Sequence, residues 1–436
     1  MALIVQKFGG SSVADTASIR RVAGRIIATR NQGHQVVVVV SAMGDTTDEL
    51  LDMAAELTTN PNSRELDILL TAGERISMSL LAMALTEMGA PASSYTGQQA
   101  GIHTDATYGH ASITAMVPER IARAIKAGHI AVVAGFQGVN DNLDVTTLGR
   151  GGSDTTAVAL AHALQADVCE IYTDVDGMFS ADPRVVPSSH QLPAVRYEEA
   201  LELAAHGAKI LHTRAVEFAR RYNVPLHVRS SFSDKEGTWI SNQVAPPELA
   251  GIVPAAALNQ EAKVEQPIIS GIAHDKTQEK ITVIGLPDEP GAAARMFEVV
   301  ANAGAKIGMI VQNVGVSEPG RANISFTLPE ADARRALEAL THAKDDLGYH
   351  ELSDNSEIGI LSLVGAGMRS HPWVSAKLFG ALARTGVNIS MISTSEIRIS
   401  VVTGLDDLDV ALRAVHTAFG LDAVGPEAIV YAGSGR

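Results

Sequence analysis

The strongest constraint on the fold of this chain is a repeat near its C-terminal end. Ile281–Val311 and Leu361–Ser393 superpose without a slip in register, placing Pro290 on Pro372, Phe297 on Phe379, Gly304 on Gly386 and Met309 on Met391, each pair 82 positions apart. Each copy reads as an apolar strand, a Pro-containing turn, an amphipathic helix closed by a glycine, and a second strand. That is the opening βαβ of a ferredoxin-like unit. Two copies of this length imply duplicated domains, because a solenoid needs more repeats to bury its faces.

The rest of the chain must fold separately. At 436 residues it exceeds the size at which a single core divides, so two or three domains are expected. Before about residue 240, short Val- and Ile-rich runs alternate with helical periodicity. Leu3–Phe8, Gln35–Ser41, Ile130–Phe136, Val168–Asp174 and Leu226–Ser231 read as strands, nearly continuous in apolar residues. Strands covered by helices on both faces have this character. Thr16–Arg30, Glu65–Gly89 and Thr155–Ala166 have helix-forming composition, with Ser153 or Asp154 expected to cap the third. The paired prolines in Ser241–Pro247 suit an extended linker.

Composition removes several function classes. Against 34 basic residues stand 49 acidic ones, a net charge of −15 that repels polyanions, so nucleic acid is not an expected partner. No run of about 20 apolar residues is evident and the mean hydropathy is +0.12, so no membrane association is expected. The start lacks a signal-peptide pattern, and a cytoplasmic location is expected. The single cysteine, Cys169, excludes a disulfide framework and a cysteine metal cluster, and reads as a core residue.

Three loops carry the chemistry. Lys7–Val13 follows the first strand with Gly9, Gly10 and Ser11, so its backbone N–H groups can approach a phosphate while Lys7 supplies a point charge. It matches neither the Walker nor the dinucleotide pattern. Ser41–Thr47 repeats the arrangement after the second strand, with Asp45, Thr46 and Thr47 ahead of a helix. Both loops would lie at the carboxyl edge of a parallel sheet, where open α/β folds bind ligands. The third, Leu148–Thr156, combines Gly149, Gly151 and Gly152 with Arg150, Ser153 and Asp154. Arg150 suits bidentate capture of a carboxylate or phosphate, and Asp154 can orient a lysine or a metal. Downstream, Tyr172–Met178 and Ser180–Arg184 place carboxylates and an Arg after a strand, where they could serve Mg²⁺ or a nucleotide. Glu74 could take a substrate amine, and Lys209 offers a second cation.

In order and context, Lys7–Val13, Ser41–Thr47, Thr71–Ser77, Leu148–Thr156 and Thr173–Arg184 resemble the motifs of bacterial aspartate kinases, and the doubled unit resembles their paired ACT domains. The resemblance covers essentially the whole chain. It implies an α/β amino-acid-kinase αβα sandwich with a mainly parallel sheet over 1–245, a linker at 246–266, and two ferredoxin-like ACT domains at 267–345 and 346–436. It also implies ATP and Mg²⁺ as cofactors, with no dedicated metal site. By carry-over, Lys7, Gly9, Gly10, Ser11, Ser153, Thr173, Asp174, Phe179, Asp182, Arg184 and Lys209 would bind ATP. Ser41, Asp45, Thr46, Thr47, Glu74, Arg150, Gly151, Gly152 and Ser153 would bind L-aspartate. Lys7, Asp154 and Lys209 would be catalytic, in transfer of the γ-phosphoryl group to the β-carboxylate. The effector positions would be Asp288, Gly291, Met309, Gln312, Asn313, Asn388, Ile389, Thr394, Ser395 and Glu396. Lysine, threonine or both would be the effectors, the assembly a homo-oligomer formed through ACT domains, and a shorter regulatory subunit a further partner.

One departure from the family concerns control. Where relatives commonly carry Asn-Ile-Asp before the Met, this chain has Lys306-Ile307-Gly308, exchanging an acceptor carboxylate for a cation. Feedback inhibition is therefore expected to be altered. Trp373, at a position usually held by Gly, is expected to pack on the neighbouring domain, the alternative being that it reshapes the effector pocket. Gly365–Ser370 mimics a dinucleotide fingerprint but lacks its last glycine and lies inside the repeat, so NAD is rejected. Two competing readings are an amino-acid-kinase member acting on glutamate, acetylglutamate or UMP, and a non-catalytic effector sensor.

Overall fold

The computed structural model describes residues 1–207, 210–242, 268–314, 318–366, 368, 371–422 and 429–431. The expected linker and Lys209 lie outside the described residues.

The N-terminal unit is built on an eight-stranded sheet. Its strands are β1 (Leu3–Phe8), β2 (Gln35–Val40), β3 (Ala92–Tyr95), β6 (Ile130–Ala134), β9 (Val168–Thr173), β10 (Ala194–Val195), β11 (Leu226–Ser230) and β12 (Thr238–Ile240), in the order β10-β12-β11-β9-β1-β2-β6-β3. Every neighbouring pair is parallel except β11 with β12. The Val- and Ile-rich composition has the expected cause. Val36, Val38 and Val40 pack in one apolar cluster and Val37 and Val39 in another, on opposite faces of the sheet.

Helices α1 (Thr16–Asn31), α2 (Thr46–Leu57), α3 (Ser63–Leu70), α4 (Ala72–Glu87), α5 (Glu119–Lys126), α6 (Gly152–Ala163), α7 (Tyr197–Ala205) and α8 (Thr213–Tyr222) complete this unit. Asp15 caps α1, accepting from Ser18 N at 2.7 Å. A small second sheet of β4 (Ile102–Thr104), β5 (Ile113–Met116), β7 (Gln137–Val139) and β8 (Val145–Thr147) stands beside the main one. Cys169 is buried in the core, and burial pushes its thiol well above the ordinary range, as suits an inert residue.

Two expectations are corrected here. The Glu65–Gly89 helix is two helices, α3 and α4, meeting at Thr71. Their combined stretch, Ser63–Glu87, has the length and mean hydropathy (1.5) of a membrane-crossing helix, contrary to the expectation that no run qualifies. Within the fold it is a packing element: Met78, Leu81 and Leu85 join Ile19, Val22 and Ile26 of α1 against the sheet.

The repeat forms two four-stranded antiparallel sheets, but the units are not contiguous. The first contains β14 (Gln278–Pro287), β15 (Ile310–Val314), β16 (Arg321–Pro329) and β17 (Glu351–Asn355), ordered β15-β16-β14-β17. Its helices are α9 (Ala292–Asn302), α10 (Glu330–His342) and the short α11 (Lys344–Leu347). The second contains β18 (Ile358–Ala366), α12 (Trp373–Arg384), β19 (Met391–Thr394), β20 (Arg398–Gly404) and α13 (Leu408–Ala418). Its fourth strand is β13 (Ile268–Asp275), which pairs with β18. The expected division at 345/346 therefore cuts β17 from its sheet and assigns β13 to the wrong unit. The first unit is threaded between the fourth strand of the second and the remainder of it. Since β13 lies outside the repeated segments, their spacing could not reveal this.

The repeat is otherwise symmetrical. Gly304 and Gly386 end their helices with φ of +72° and +75°, where a side chain would be strained. Met309 and Met391 meet in one cluster with Ile358, Ile360 and Val402, so the pseudo-equivalent residues join the two units.

Candidate active site

β9, β1, β2 and β6 are adjacent and parallel, so the loops that follow them share one edge of the sheet. After β1 the chain makes a short 3₁₀ turn, Gly10–Val13. Gly44 N donates to Gly10 O at 3.1 Å, locking the first two loops together. A Cβ on Gly10 would lie 2.8 Å from Gly44 O and 3.1 Å from Ala42 O, so that contact requires glycine. Gly9 N reaches Tyr172 O on β9, and Ser12 Oγ donates to Ser231 Oγ at 2.9 Å beyond β11. Ser11 is half-buried beside them.

Lys7, near the end of β1, projects toward α6, where its Nζ is 2.6 Å from Asp154 Oδ1. The loop before α6 turns at Gly149 and Gly151, with φ of +77° and +72°. A Cβ on Gly151 would fall within the His212 ring, and one on Gly135 would meet Ser153 Oγ at 2.6 Å. Neither Ser153 nor Asp154 caps α6, as had been expected: Gly151 is the cap residue, and both lie in the first helical turn. The positive end of the helix macrodipole, Lys7 and a carboxylate thus converge at one point.

On the side expected to hold the acceptor, Glu74 is buried on the first turn of α4. Its Oε1 accepts from Ala42 N at 3.1 Å, and its Oε2 has no partner among the described residues. Burial pushes its carboxyl up to about 7, opposed only by backbone hydrogen bonds. Ser77 Oγ donates to Ser41 O at 2.7 Å and Thr46 Oγ1 to Met43 O at 2.6 Å, fixing the second loop. Asp45 and Thr47 flank the start of α2. Arg150 stands apart. It is 84% exposed in its side chain and 4.0 Å from Asp48 Oδ1, at the rim rather than on the floor.

On the other side, Thr173 Oγ1 donates to Asp174 Oδ1 at 2.9 Å. Arg184 grips Asp182 through two guanidinium bonds of 3.0 and 2.9 Å. Burial opposes ionisation of Asp182, but the Arg184 bonds outweigh it and hold the carboxyl below the usual range. Phe179 is buried on the same loop. Sequence reasoning missed two neighbours, Lys235 and Tyr431. Lys235 pairs with Asp176 at 2.8 Å, and Tyr431 donates its hydroxyl to Asp176 Oδ2 at 3.2 Å and its N–H to Asp174 O at 3.0 Å. Nothing local to Tyr431 announces that the chain returns there.

The effector candidates sit on the two ACT-like units. Gln312 and Asn313 are exposed on β15, an edge strand, and Thr394 lies on β19, the edge strand of the other sheet. Asn388 and Ile389 precede β19; Ser395 N donates to Arg398 O at 2.8 Å beside Glu396. Asp288 N donates to Gly320 O, and Gly291 caps α9. Lys306 and Gly308 are exposed ahead of the buried Met309. Trp373 is not packed on a neighbouring domain as expected: it is half exposed at the start of α12, with Lys377 Nζ 5.5 Å from its ring centroid.

A lysine and helix terminus at the carboxyl edge of a parallel sheet, with a buried carboxylate bonded to the second loop, joined to two ACT-like units, define a phosphotransferase of the amino-acid-kinase class. Residues 2–230 match the amino acid kinase family model, and 281–343 and 361–419 match that of the ACT domain. The aspartokinase of Mycolicibacterium smegmatis is 54% identical, and that of Corynebacterium glutamicum 52%, each over 100% of both chains. The crystal structure of aspartate kinase from Synechocystis is 40% identical, with a TM-score of 0.52 over 98% of this chain and 70% of that one. Aspartokinase III of E. coli, solved with aspartate and ADP, shares the fold at 23% identity, with a TM-score of 0.79 over 96% of this chain and 100% of that one. The chain belongs to the amino acid kinase family, among its aspartokinases, and is an ATP-dependent kinase.

Proposed function

We propose that this kinase transfers the γ-phosphoryl group of MgATP to the β-carboxylate of L-aspartate, giving 4-phospho-L-aspartate and ADP. The observation that carries the reading is the Lys7–Asp154 pair at the mouth of α6, together with the buried Glu74, which accepts from Ala42 N of the neighbouring second loop. A carboxylate acceptor is ionised at neutral pH, so attack on the γ-phosphorus needs no general base. Catalysis then rests on position and charge. Lys7 neutralises charge that develops on the transferring group, and Asp154 holds Lys7 in place. Gly9, Gly10 and Ser11 offer their backbone to the phosphates, and Thr173, Asp174, Phe179, Asp182 and Arg184 frame the nucleotide. Glu74 takes the substrate ammonium, with Ser41 and Thr47 beside it; Arg150 swings in from the rim to take a carboxylate. Lys209 adds a second cation. Among the described residues no group of three or more His, Cys, Asp or Glu side chains forms a metal cluster. Mg²⁺ would come with ATP as part of the substrate.

The reading places the reaction at the entry to lysine, threonine and methionine synthesis, in the cytoplasm. Lysine or threonine would bind the ACT-like units, and the chain would assemble as a homo-oligomer through them. With Lys306 and Gly308 in the first copy, inhibition would be weaker than the family pattern, since a cation replaces an acceptor where a zwitterion must bind. The deciding experiment measures ADP release with MgATP and L-aspartate, repeated with glutamate as acceptor and with lysine, threonine or both added. Turnover that requires aspartate supports the reading. Turnover with glutamate and none with aspartate would place the chain elsewhere in the family.

A further inference from the structure

The loop between β9 and β10, which carries Phe179, Asp182 and Arg184, is gripped by the second ACT-like unit. It folds back on itself through Ser180 N to His190 O at 2.9 Å and Leu192 N to Met178 O at 2.8 Å. Ile272 N of β13 donates to Ser180 O at 2.7 Å. Ala181 and Val186 are buried in the second unit's own core, with Leu408, Leu412, Val415 and Leu421. The stretch bearing Asp182 and Arg184 therefore hangs between two residues anchored in another domain.

A polar circuit completes the grip. Ser180 Oγ is 2.9 Å from His416 Nε2 on α13, and His416 Nδ1 is 3.0 Å from Asp422 Oδ1. Asp422 also accepts from Ser188 Oγ at 2.7 Å, and His190 Nδ1 donates to Leu421 O at 2.7 Å. The directions are fixed by chemistry. A carboxylate can only accept, so His416 carries its proton on Nδ1 and its Nε2 accepts the Ser180 hydroxyl proton. Ser180 Oγ in turn accepts from His190 N at 3.0 Å. Burial lowers the His416 pKa, which favours the neutral ring this pattern needs. The order Ser-His-Asp is that of a nucleophilic triad, but Ser180 and His416 are both 0% exposed, so no substrate reaches them.

We propose that His416 is a positioning residue for the nucleotide: from the regulatory unit it fixes the Ser180 hydroxyl, and through it sets Arg184 and Asp182 at the ATP site. Nucleotide affinity is then set partly by where α13 sits, giving the regulatory unit a direct hold on the catalytic one. The inference rests on the nucleotide reading of this loop.

The test titrates ADP into the full-length chain by calorimetry, for the unaltered protein and for Ser180→Ala, His416→Leu and His416→Gln. Loss of one or two buried hydrogen bonds should raise the ADP Kd about five- to tenfold in S180A and H416L. H416Q, whose amide oxygen can accept from Ser180, should restore most of the affinity. The KM for aspartate should stay unchanged in all three. If H416L fails to fold, S180A removes a single oxygen and decides alone. Variants with a lowered Tm but an unaltered ADP Kd would overturn the proposal, because a merely structural residue behaves that way. Because ADP binding needs no acceptor, the outcome stands apart from the question of aspartate turnover. An unaltered chain that bound no ADP would remove the nucleotide reading and this inference together.

Discussion

Lys7 Nζ lies 2.6 Å from Asp154 Oδ1, so the C-terminal end of β1 and the first turn of α6 are joined by an ion pair at the point where phosphate would enter. The two side chains are only 13% and 10% exposed, which shields the pair from solvent. Lys7→Met removes the cation and leaves Asp154 unpaired; kcat should fall about 1,000-fold. Asp154→Asn keeps the shape but frees Lys7, and kcat should fall about 100-fold with little change in KM for ATP. Steady-state kinetics of both variants check this, and a D154N enzyme with normal kcat would remove Asp154 from the mechanism.

Glu74 should give aspartate binding a pH dependence. Its carboxyl is pushed up to about 7 by burial, so it is largely protonated below that pH and can take an ammonium only as an anion. The KM for aspartate should fall as pH rises through about 7, and Glu74→Gln should abolish both the trend and most of the affinity. Folding stability moves the other way. In the unfolded chain the group ionises near its ordinary value of 4.5, so between that pH and about 7 the folded state holds the extra proton. Stability of the unliganded protein should therefore decline across that window, by at most about 3 kcal/mol, and E74Q should not show the decline. Thermal melts of both proteins at intervals of pH measure it.

Gly10→Ala tests the contact between the first two loops. The added Cβ would meet backbone oxygens of Gly44 and Ala42, which cannot swing aside as a side chain can. The loops must part, so the KM for ATP should rise and Tm should drop. A variant with unchanged Tm and kinetics would show that the loops separate freely.

Lys306 and Gly308 should set the response to effectors. Lys306→Asn should increase inhibition by lysine plus threonine relative to the unaltered chain. Gly308→Asp should not do so cleanly, because its Cβ would stand 2.8 Å from Thr327 Oγ1, the acceptor of the Met309 N–H. Inhibition curves at fixed substrate check both; strong inhibition of the unaltered chain by low effector levels would contradict the weakened-control reading.

Much of this was legible in the sequence where local rules coincide with the fold. The five long strands were found because burial on both faces makes them continuous in Val and Ile, and their loops because glycine is required at Gly10 and Gly151. What stayed hidden depended on contacts distant in sequence. β13 joins the second sheet across the whole first unit, His416 meets Ser180 from α13, and Tyr431 returns to Asp174. The exposure of Arg150 was equally unreadable, since its loop chemistry is the same whether the side chain faces inward or out. The burial of Glu74 was hidden too, because it depends on how the first turn of α4 packs.

The central claim is that the acceptor is the β-carboxylate of aspartate, and the most direct measurement traps the product. Incubating the chain with MgATP, L-aspartate and hydroxylamine converts an acyl phosphate to a hydroxamate that can be identified by mass. The account predicts aspartate β-hydroxamate formed in step with ADP, and lost in K7M. ADP release without hydroxamate, or hydroxamate formed from glutamate but not from aspartate, would contradict it.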